Sequence, residues 1–390
     1  MERWGEVALQ RALDKVEQNH TLAAYPHITK QGQWVTTADG AWTGGFWIGL
    51  LWIAYEERRD ARFREAAETL LQRFTQRASE RQNHDLGFMF CPSAVTGWRI
   101  TGNEHYREAA LRAAGSLAGQ FHEVGRFIPG WGFFGGQEWQ GTTLIDTLMN
   151  LPLLLWASEQ TGIQRYREVA LAHADTALRH HLRPDGSVYH VYHFDPATGQ
   201  PREGDTYQGL HSESCWARGQ AWAITGWTIL AQRTGEQRYA EAAHRAARYF
   251  LDALPPSRVP PWDFSARGAG EPRDSSAAAI AAYGLLRQTA IDDDARYASA
   301  ARDILRVLCE EYVAGPEWSG ILLHATADLP HGLGVDESTL YGDYFFVRAL
   351  QWLRDEERAS GHILGWKQGK DTRLHEFTPE QSGRREGIGT

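Results

Sequence analysis

TGIQRYREVALAHA, residues 161–174, decides the fold because it does not occur once. TGNEHYREAALRAA starts at Thr101 and TGEQRYAEAAHRAA at Thr234, with weaker copies RRDARFREAAETL from Arg58 and IDDDARYASAARDI from Ile291. In the strongest copies a Gly suited to a left-handed helix cap closes one helix, and the next opens with an aromatic and small residues at helical spacing. Each copy therefore marks the turn of a helical hairpin, and the spacing of the copies makes the chain a repeat protein.

Working outward, the helices that follow the signature are expected near 61–79, 104–121, 164–181, 237–252 and 295–311, with an opening helix near 3–18. Their partners, near 44–57, 88–100, 142–161, 216–233, 275–290 and 339–355, are more apolar or richer in small residues. The extreme case is TTLIDTLMNLPLLLWASEQT, residues 142–161, which is apolar on every side and so reads as a helix buried all round. Six amphipathic helices alternating with six buried ones predict an all-α fold, an (α/α)6 toroid whose inner wall is the buried set. An open solenoid would need polar end caps, and the terminal units carry none that are conspicuous. Residues 1–366 are expected to form this single barrel and 367–390 a polar C-terminal tail.

The connections are unequal. Inner-to-outer turns are short, whereas 19–43, 80–87, 122–141, 182–215, 253–274 and 312–338 are long and all emerge at the end where the inner helices present their N-termini. Long loops on a rigid scaffold carry binding residues, and helix N-termini favour anionic groups, so that end is the expected mouth of a pocket.

A formal charge of −9 with no basic stripe argues against nucleic acid. No apolar run spans a bilayer, since the longest is interrupted by Asp146, Asn150 and Pro152. The opening MERWGEVALQRALDKVEQ reads as an amphipathic helix rather than a signal segment, and Cys91, Cys215 and Cys309 lie too far apart for CxxC chemistry; a reducing cytoplasm is expected.

Chemistry-bearing residues concentrate in the long connections or on the first turns after them: Trp42, His84, Asp85, Trp131, Asp146, His190, Gln208, Arg218, Trp222, Asp274 and Asp343. Two carboxylates at one mouth suit acid/base work on a sugar, although Asp85 reads equally as a helix cap and Asp146 as a residue favoured by a helix N-terminus. Asp146, set in an apolar helix, is expected to stay protonated near neutrality, and Asp85, in a polar loop beside His84, to ionise more readily. Arg218 and Trp222 are one helical turn apart, which suits a sugar carboxylate or an ordinary cation–π pair. GWGFFGGQEWQG, residues 130–141, lacks the ending of a phosphate loop and reads as a sugar-facing wall. His190 and His193 in HVYH lack an acidic third ligand, so metal-free chemistry without a cofactor is expected.

Taken together, GFWIGLLWIAYE, HDLGF, LIDTLMNLPLL, SCWARGQAW, DSSAAAIAAYGLL and YGDYFF resemble the unsaturated glucuronyl hydrolases of glycoside hydrolase family 88, from about residue 40 to about 355. The resemblance implies an (α/α)6 barrel that removes a 4,5-unsaturated uronic acid from the non-reducing end of lyase-generated oligosaccharides of the glycosaminoglycan type. The C4=C5 bond is hydrated, and the resulting hemiketal opens and expels the neighbouring sugar. By motif position Asp146 matches the general acid/base and Asp85 the second essential carboxylate. His84, beside it, His190, Gln208, Arg218 and Trp222 fall where the family contacts the sugar, and Trp42 and Trp131 where rings wall the pocket. The alternatives are an unsaturated rhamnogalacturonyl hydrolase, which SCWARGQAW and NLPLL disfavour, a conventional inverting glycosidase built on Asp85 and Asp146, and a silent sugar-binding toroid, which would not need both carboxylates.

Overall fold

The computed structural model describes residues 3–131, 136–268, 270–291 and 294–362. The expected tail at 367–390 and residues 132–135 of the glycine- and aromatic-rich loop lie outside that range. In chain order, outer and inner helices alternate: α1 (Arg3–Asn19), α2 (Gly44–Arg58), α3 (Ala61–Phe74), α4 (Leu86–Phe90) with α5 (Thr96–Thr101), α6 (Glu104–Ala118), α7 (Leu151–Thr161), α8 (Gln164–His180), α9 (Ala217–Thr234), α10 (Gln237–Ala253), α11 (Ser275–Gln288), α12 (Ala295–Val307) and α13 (Leu340–His362). The inner set, α2, α4/α5, α7, α9, α11 and α13, closes on itself: α9 packs on α11, α11 on α13 and α13 on α2. Outside it, α1 touches α12, so the outer ring closes as well. The (α/α)6 toroid is the observed fold.

The sequence periodicity explains the two rings. α9 is buried along its length from Ala217 to Ala231, and α11 from Ser275 to Gln288, because small residues let neighbours approach on every side. α10 buries Tyr239, Ala240, Ala243, Ala246, Ala247 and Phe250 on one stripe and leaves its charges outside. The repeat's glycines act as expected: Gly102, Gly162 and Gly235 sit at φ +68°, +73° and +72° and cap α5, α7 and α9.

Two inner helices depart from the expected continuous form. Between α4 and α5, residues Cys91–Val95 form a π turn. Residues 142–161 are not one helix: Thr142–Leu144 is a strand, Ile145–Met149 a 3-10 turn, and α7 begins only at Leu151, with Pro152 in its first turn. Asp146 therefore stands on the 3-10 turn, not on an apolar helix.

The long connections also contain structure that the all-α expectation left out. β1 (Tyr25–Lys30) pairs with β2 (Gln33–Thr37); β3 (Thr142–Leu144), β4 (Val191–Phe194) and β5 (Pro201–Asp205) form a three-stranded antiparallel sheet; β6 (Ala325–Asp328) pairs with β7 (Leu333–Glu337). These hairpins stand at the loop-bearing end of the toroid and hold the pocket walls in register.

Candidate active site

A cavity of about 500 Å³, continuous with solvent, opens at the loop end, lined by residues from four of the long connections and the first turns after them. Trp42 precedes α2, His84 and Asp85 precede α4, and Asp146 follows β3. His190 precedes β4, Gln208 follows β5, and Arg218 and Trp222 lie in the first turns of α9. Trp139, Leu144, Tyr207 and Trp216 complete the lining. Eight of the nine expected residues thus meet in one place. Trp131 is the exception: it is buried, its backbone N–H donates to His84 Nδ1 at 3.2 Å, and the ring that faces the cavity from its loop belongs to Trp139.

Asp85 occupies the N-cap position of α4 but makes no side-chain cap bond, so its carboxylate is left for the pocket. The segment that carries it presses against the turn that carries Asp146. Gly87 makes this possible, since a Cβ there would stand 2.3 Å from the Asn150 backbone. Across the junction, Asn150 Oδ1 accepts the Phe88 N–H at 2.7 Å and Asn150 Nδ2 reaches Asp85 Oδ1 at 3.5 Å. The 3-10 turn is tied from its other side by Ile145 N–H donating to His190 O at 3.0 Å.

His84 Nε2 lies 3.4 Å from Asp85 Oδ1 and 3.5 Å from Asp146 Oδ1. One ligand atom from each of His84, Asp85 and Asp146 falls within 4.8 Å of the others. That spacing is within a cation's reach, but the same nitrogen is the bridge between the carboxylates, and the Trp131 amide on Nδ1 places the neutral ring's proton on Nε2, facing them. Burial opposes charging His84 and the two carboxylates favour it, with the net push upward; a second ring proton on Nδ1 would have to displace the Trp131 amide.

Two carboxylates this close cannot both ionise freely. Burial, then Asp146 beside it, pushes Asp85 up to about 6 against the pull of His84. Burial would lift Asp146 as well, but the hydrogen bond and charge of His84 carry it below its ordinary value. This reverses the order expected from sequence, because Asp146 does not sit in a helix of apolar neighbours, and Asp85 lies not in a polar loop but in a buried junction.

His190 is held neutral: burial lowers it to about 3, and its Nδ1 accepts the backbone N–H of Tyr207 and Gln208, both at 3.3 Å. Its ring lies against Trp216, 4.3 Å between centroids. His193 points elsewhere, to Asp205 Oδ2 at 2.9 Å, so the HVYH histidines do not converge. Gln208 is fixed by donating to Ala327 O at 2.8 Å.

Arg218 is 2 % exposed and does not pair with Trp222. Its guanidinium is stacked between Trp216 and Tyr341, 4.4 and 5.0 Å from their centroids. It donates to Asp274 Oδ2 at 2.6 Å, to Thr326 O at 2.7 Å and to Ala327 O. Asp274 in turn caps α11 through the Ser276 N–H. Asp343 stands outside the pocket: it accepts the N–H groups of Ile321 and Leu322, and burial pushes it up to about 7. Sequence reasoning missed Trp139, Tyr207 and Trp216 as lining residues. Trp139 and Trp216 lie within the quoted stretches GWGFFGGQEWQG and SCWARGQAW, but only the fold shows which ring of each turns inward.

The comparisons agree with this geometry. The model of Glycosyl Hydrolase Family 88 matches residues 9–255. An unsaturated chondroitin disaccharide hydrolase of Streptococcus pyogenes serotype M1 is 38 % identical over 334 residues, 83 % of each chain. The crystal structure of an unsaturated glucuronyl hydrolase from Bacillus sp. GL1, responsible for the degradation of glycosaminoglycan, superposes with a TM-score of 0.86 at 35 % identity, covering 90 % of this chain and 97 % of that one. A Streptococcus agalactiae unsaturated glucuronyl hydrolase variant complexed with dGlcA-GalNAc6S matches with a TM-score of 0.79 at 32 % identity, covering 90 % and 92 %. A closed (α/α)6 toroid, a pocket at its loop end and this agreement in sequence over most of the chain lead to one assignment: the chain is a glycoside hydrolase and belongs to family 88.

Proposed function

We propose that this enzyme removes a 4,5-unsaturated uronic acid from the non-reducing end of glycosaminoglycan-type oligosaccharides by hydrating the C4=C5 vinyl ether. The observation that carries this over inverting hydrolysis is the approach of one nitrogen, His84 Nε2, to both carboxylates. An inverting glycosidase holds its acid and base about 6.5–9.5 Å apart, on opposite sides of the scissile bond. Asp85 and Asp146 have oxygens within 4.8 Å of each other. They behave as a proton-sharing pair.

In this reading Asp146 delivers a proton to C4 and the developing positive charge at C5 is stabilised by the ring oxygen. Water then adds at C5 as its proton passes back to Asp146. The hemiketal opens, C5 becomes a carbonyl, and the anomeric carbon releases the neighbouring sugar. Asp85 holds the pair's proton in the empty site and binds ring hydroxyls once substrate enters. The arriving uronate adds negative charge and raises both carboxylates, which favours a protonated Asp146. His190 and Gln208 supply donors fixed by their own partners, Trp42 and Trp222 wall the sugar, and Arg218 presents its remaining N–H groups to the uronate. Unlike the inverting alternative, no water needs to fit between the carboxylates.

No helix among the described residues is long and apolar enough to cross a membrane. Three free cysteines, Cys91, Cys215 and Cys309, with burial raising each thiol, support work in a reducing cytoplasm.

The test is isotopic. In heavy water the released uronate should carry one deuterium at C4 on a single face, and oxygen from labelled water should enter at C5. Deuterium absent from C4, or fast cleavage of a saturated glucuronide, would refute hydration.

A further inference from the structure

The inner ring encloses a second cavity at its opposite end. It spans about 770 Å³ continuous with solvent and is lined by Arg99, Arg233, Arg287, Arg348, Tyr283 and Tyr344 over an apolar floor, with no carboxylate among its described lining residues. Arg99, Arg233 and Arg287 stand in the last turns of α5, α9 and α11. Arg218 of the near cavity and Arg233 of the far one are both on α9, about 22 Å apart along its axis at about 1.5 Å per residue. The floor is thin all the same: Phe88 lines the far cavity, and its ring lies 4.9 Å from that of Trp222, which lines the near one.

The guanidinium groups are held in place from outside. Arg287 is 7 % exposed; its Nε and Nη2 donate to Gln232 Oε1 at 2.8 and 2.6 Å, and Nη1 donates to the Tyr283 hydroxyl at 2.8 Å. Arg99 and Arg233 are tethered by Glu56 at 3.1 Å and Glu159 at 2.6 Å, both well exposed. A basic residue at a helix C-terminus is favoured by the helix dipole, and that would account for three of the four. Arg348 escapes this explanation, since it stands in the third turn of α13. The positive character is registered by Tyr283: burial should raise its hydroxyl, as it raises Tyr344 to about 12, yet Arg287 and Arg348 bring it below its ordinary value.

We propose that this far cavity binds a small tetrahedral oxyanion, phosphate or sulfate, between the guanidinium groups of Arg348, Arg287, Arg233 and Arg99. Planar guanidinium forks match such anions and keep their charge at every working pH. The site is independent of the catalytic reading, because no residue of the near pocket takes part.

Calorimetric titration of the full chain with inorganic phosphate and, separately, inorganic sulfate tests it, with acetate as the control. Saturable one-site binding is expected for at least one of the two, weakened at least tenfold in Arg348→Gln and in Arg99→Gln and unchanged in Asp146→Asn. Response to only one anion identifies which of them the site takes. Arg99 lies at the cavity edge with its side chain 30 % exposed, so its variant carries the test if Arg348→Gln does not fold. The proposal falls if neither anion binds, or if binding stays within twofold of wild type in the arginine variants. It falls too if binding shifts by more than twofold in Asp146→Asn, since removing that carboxylate's charge would tighten an anion held in the substrate pocket.

Discussion

The inner wall contains two kinds of helix, and the chemistry divides between them. α9 and α11 run unbroken from the loop end to the far end, and each carries what must not move: the Arg218 guanidinium and the Asp274 cap that holds it. The segments 86–101 and 145–161 are interrupted, one by a π turn and the other by a 3-10 turn before Pro152, and these deliver Asp85 and Asp146. A regular helix would turn successive side chains around its axis. A broken one frees a short piece of backbone to approach its neighbour, and across the Gly87–Asn150 contact His84, Asp85 and Asp146 come within 4.8 Å. The unbroken helices supply a rigid frame and the broken ones a reactive pair.

The comparison breaks first at Asp146. Asp146→Asn keeps the shape of the side chain but has no proton to give, so turnover should fall by about 10²–10⁴-fold with little change in KM. Asp85→Asn should also be severely impaired. If Asp146→Asn turns over near the wild-type rate, the broken helix holds no general acid.

On the unbroken side the expected loss is one of stability. Arg218→Ala leaves Asp274, which is fully buried, without its cation, and should cost about 3–5 kcal/mol in urea unfolding. Pairing Arg218→Met with Asp274→Asn should restore most of that while leaving the preference for free uronates over their methyl esters lost. A double variant that keeps the preference would make Arg218 a frame residue only.

Gly87→Ala tests the contact between the two broken segments. The added Cβ meets the Asn150 backbone at 2.3 Å, so one segment must move. We expect a loss of about 1–3 kcal/mol in stability together with a fall in kcat larger than the change in KM. An unchanged kcat would mean that the spacing of the carboxylates does not matter.

Much of this was legible beforehand. The Thr-Gly repeat encodes the hairpins, and its glycines adopt the positive φ that was expected of them. The unequal loops placed the pocket at the correct end. What failed did so for physical reasons. The run 142–161 reads as helix because a buried strand and a buried helix are both simply apolar; the β-branched pair Thr142–Thr143 and the proline at 152 were the signals for a late helix start. Gln31–Gly32, at φ +52° and +79°, is a two-residue hairpin turn flanked by strand formers, and reading it would have found β1 and β2. The order of the two carboxylates could not be read at all, since it depends on a histidine nitrogen and on a junction closed by Gly87, and neither is a property of local sequence.

The smallest expected effect concerns that order. Asp85, raised to about 6 from its ordinary value near 4, binds its proton more tightly in the folded state. Its contribution to stability is therefore complete below pH 4 and is lost as pH rises through 6. Asp146 is shifted the other way, so its contribution changes mainly below pH 4, outside this window, and the Asp85 term is on the order of 1 kcal/mol. Asp343, raised to about 7, adds a slope of the same sign as that of Asp85, but it lies outside the pocket and is common to both proteins compared. Asp85→Asn resembles the protonated state at every pH. Its unfolding free energy relative to wild type should accordingly rise by about 1 kcal/mol between pH 4 and pH 7. Parallel curves would mean that Asp85 is not the carboxylate that holds the pair's proton, and a difference of opposite sign would restore the order first expected, with the resting proton on Asp146.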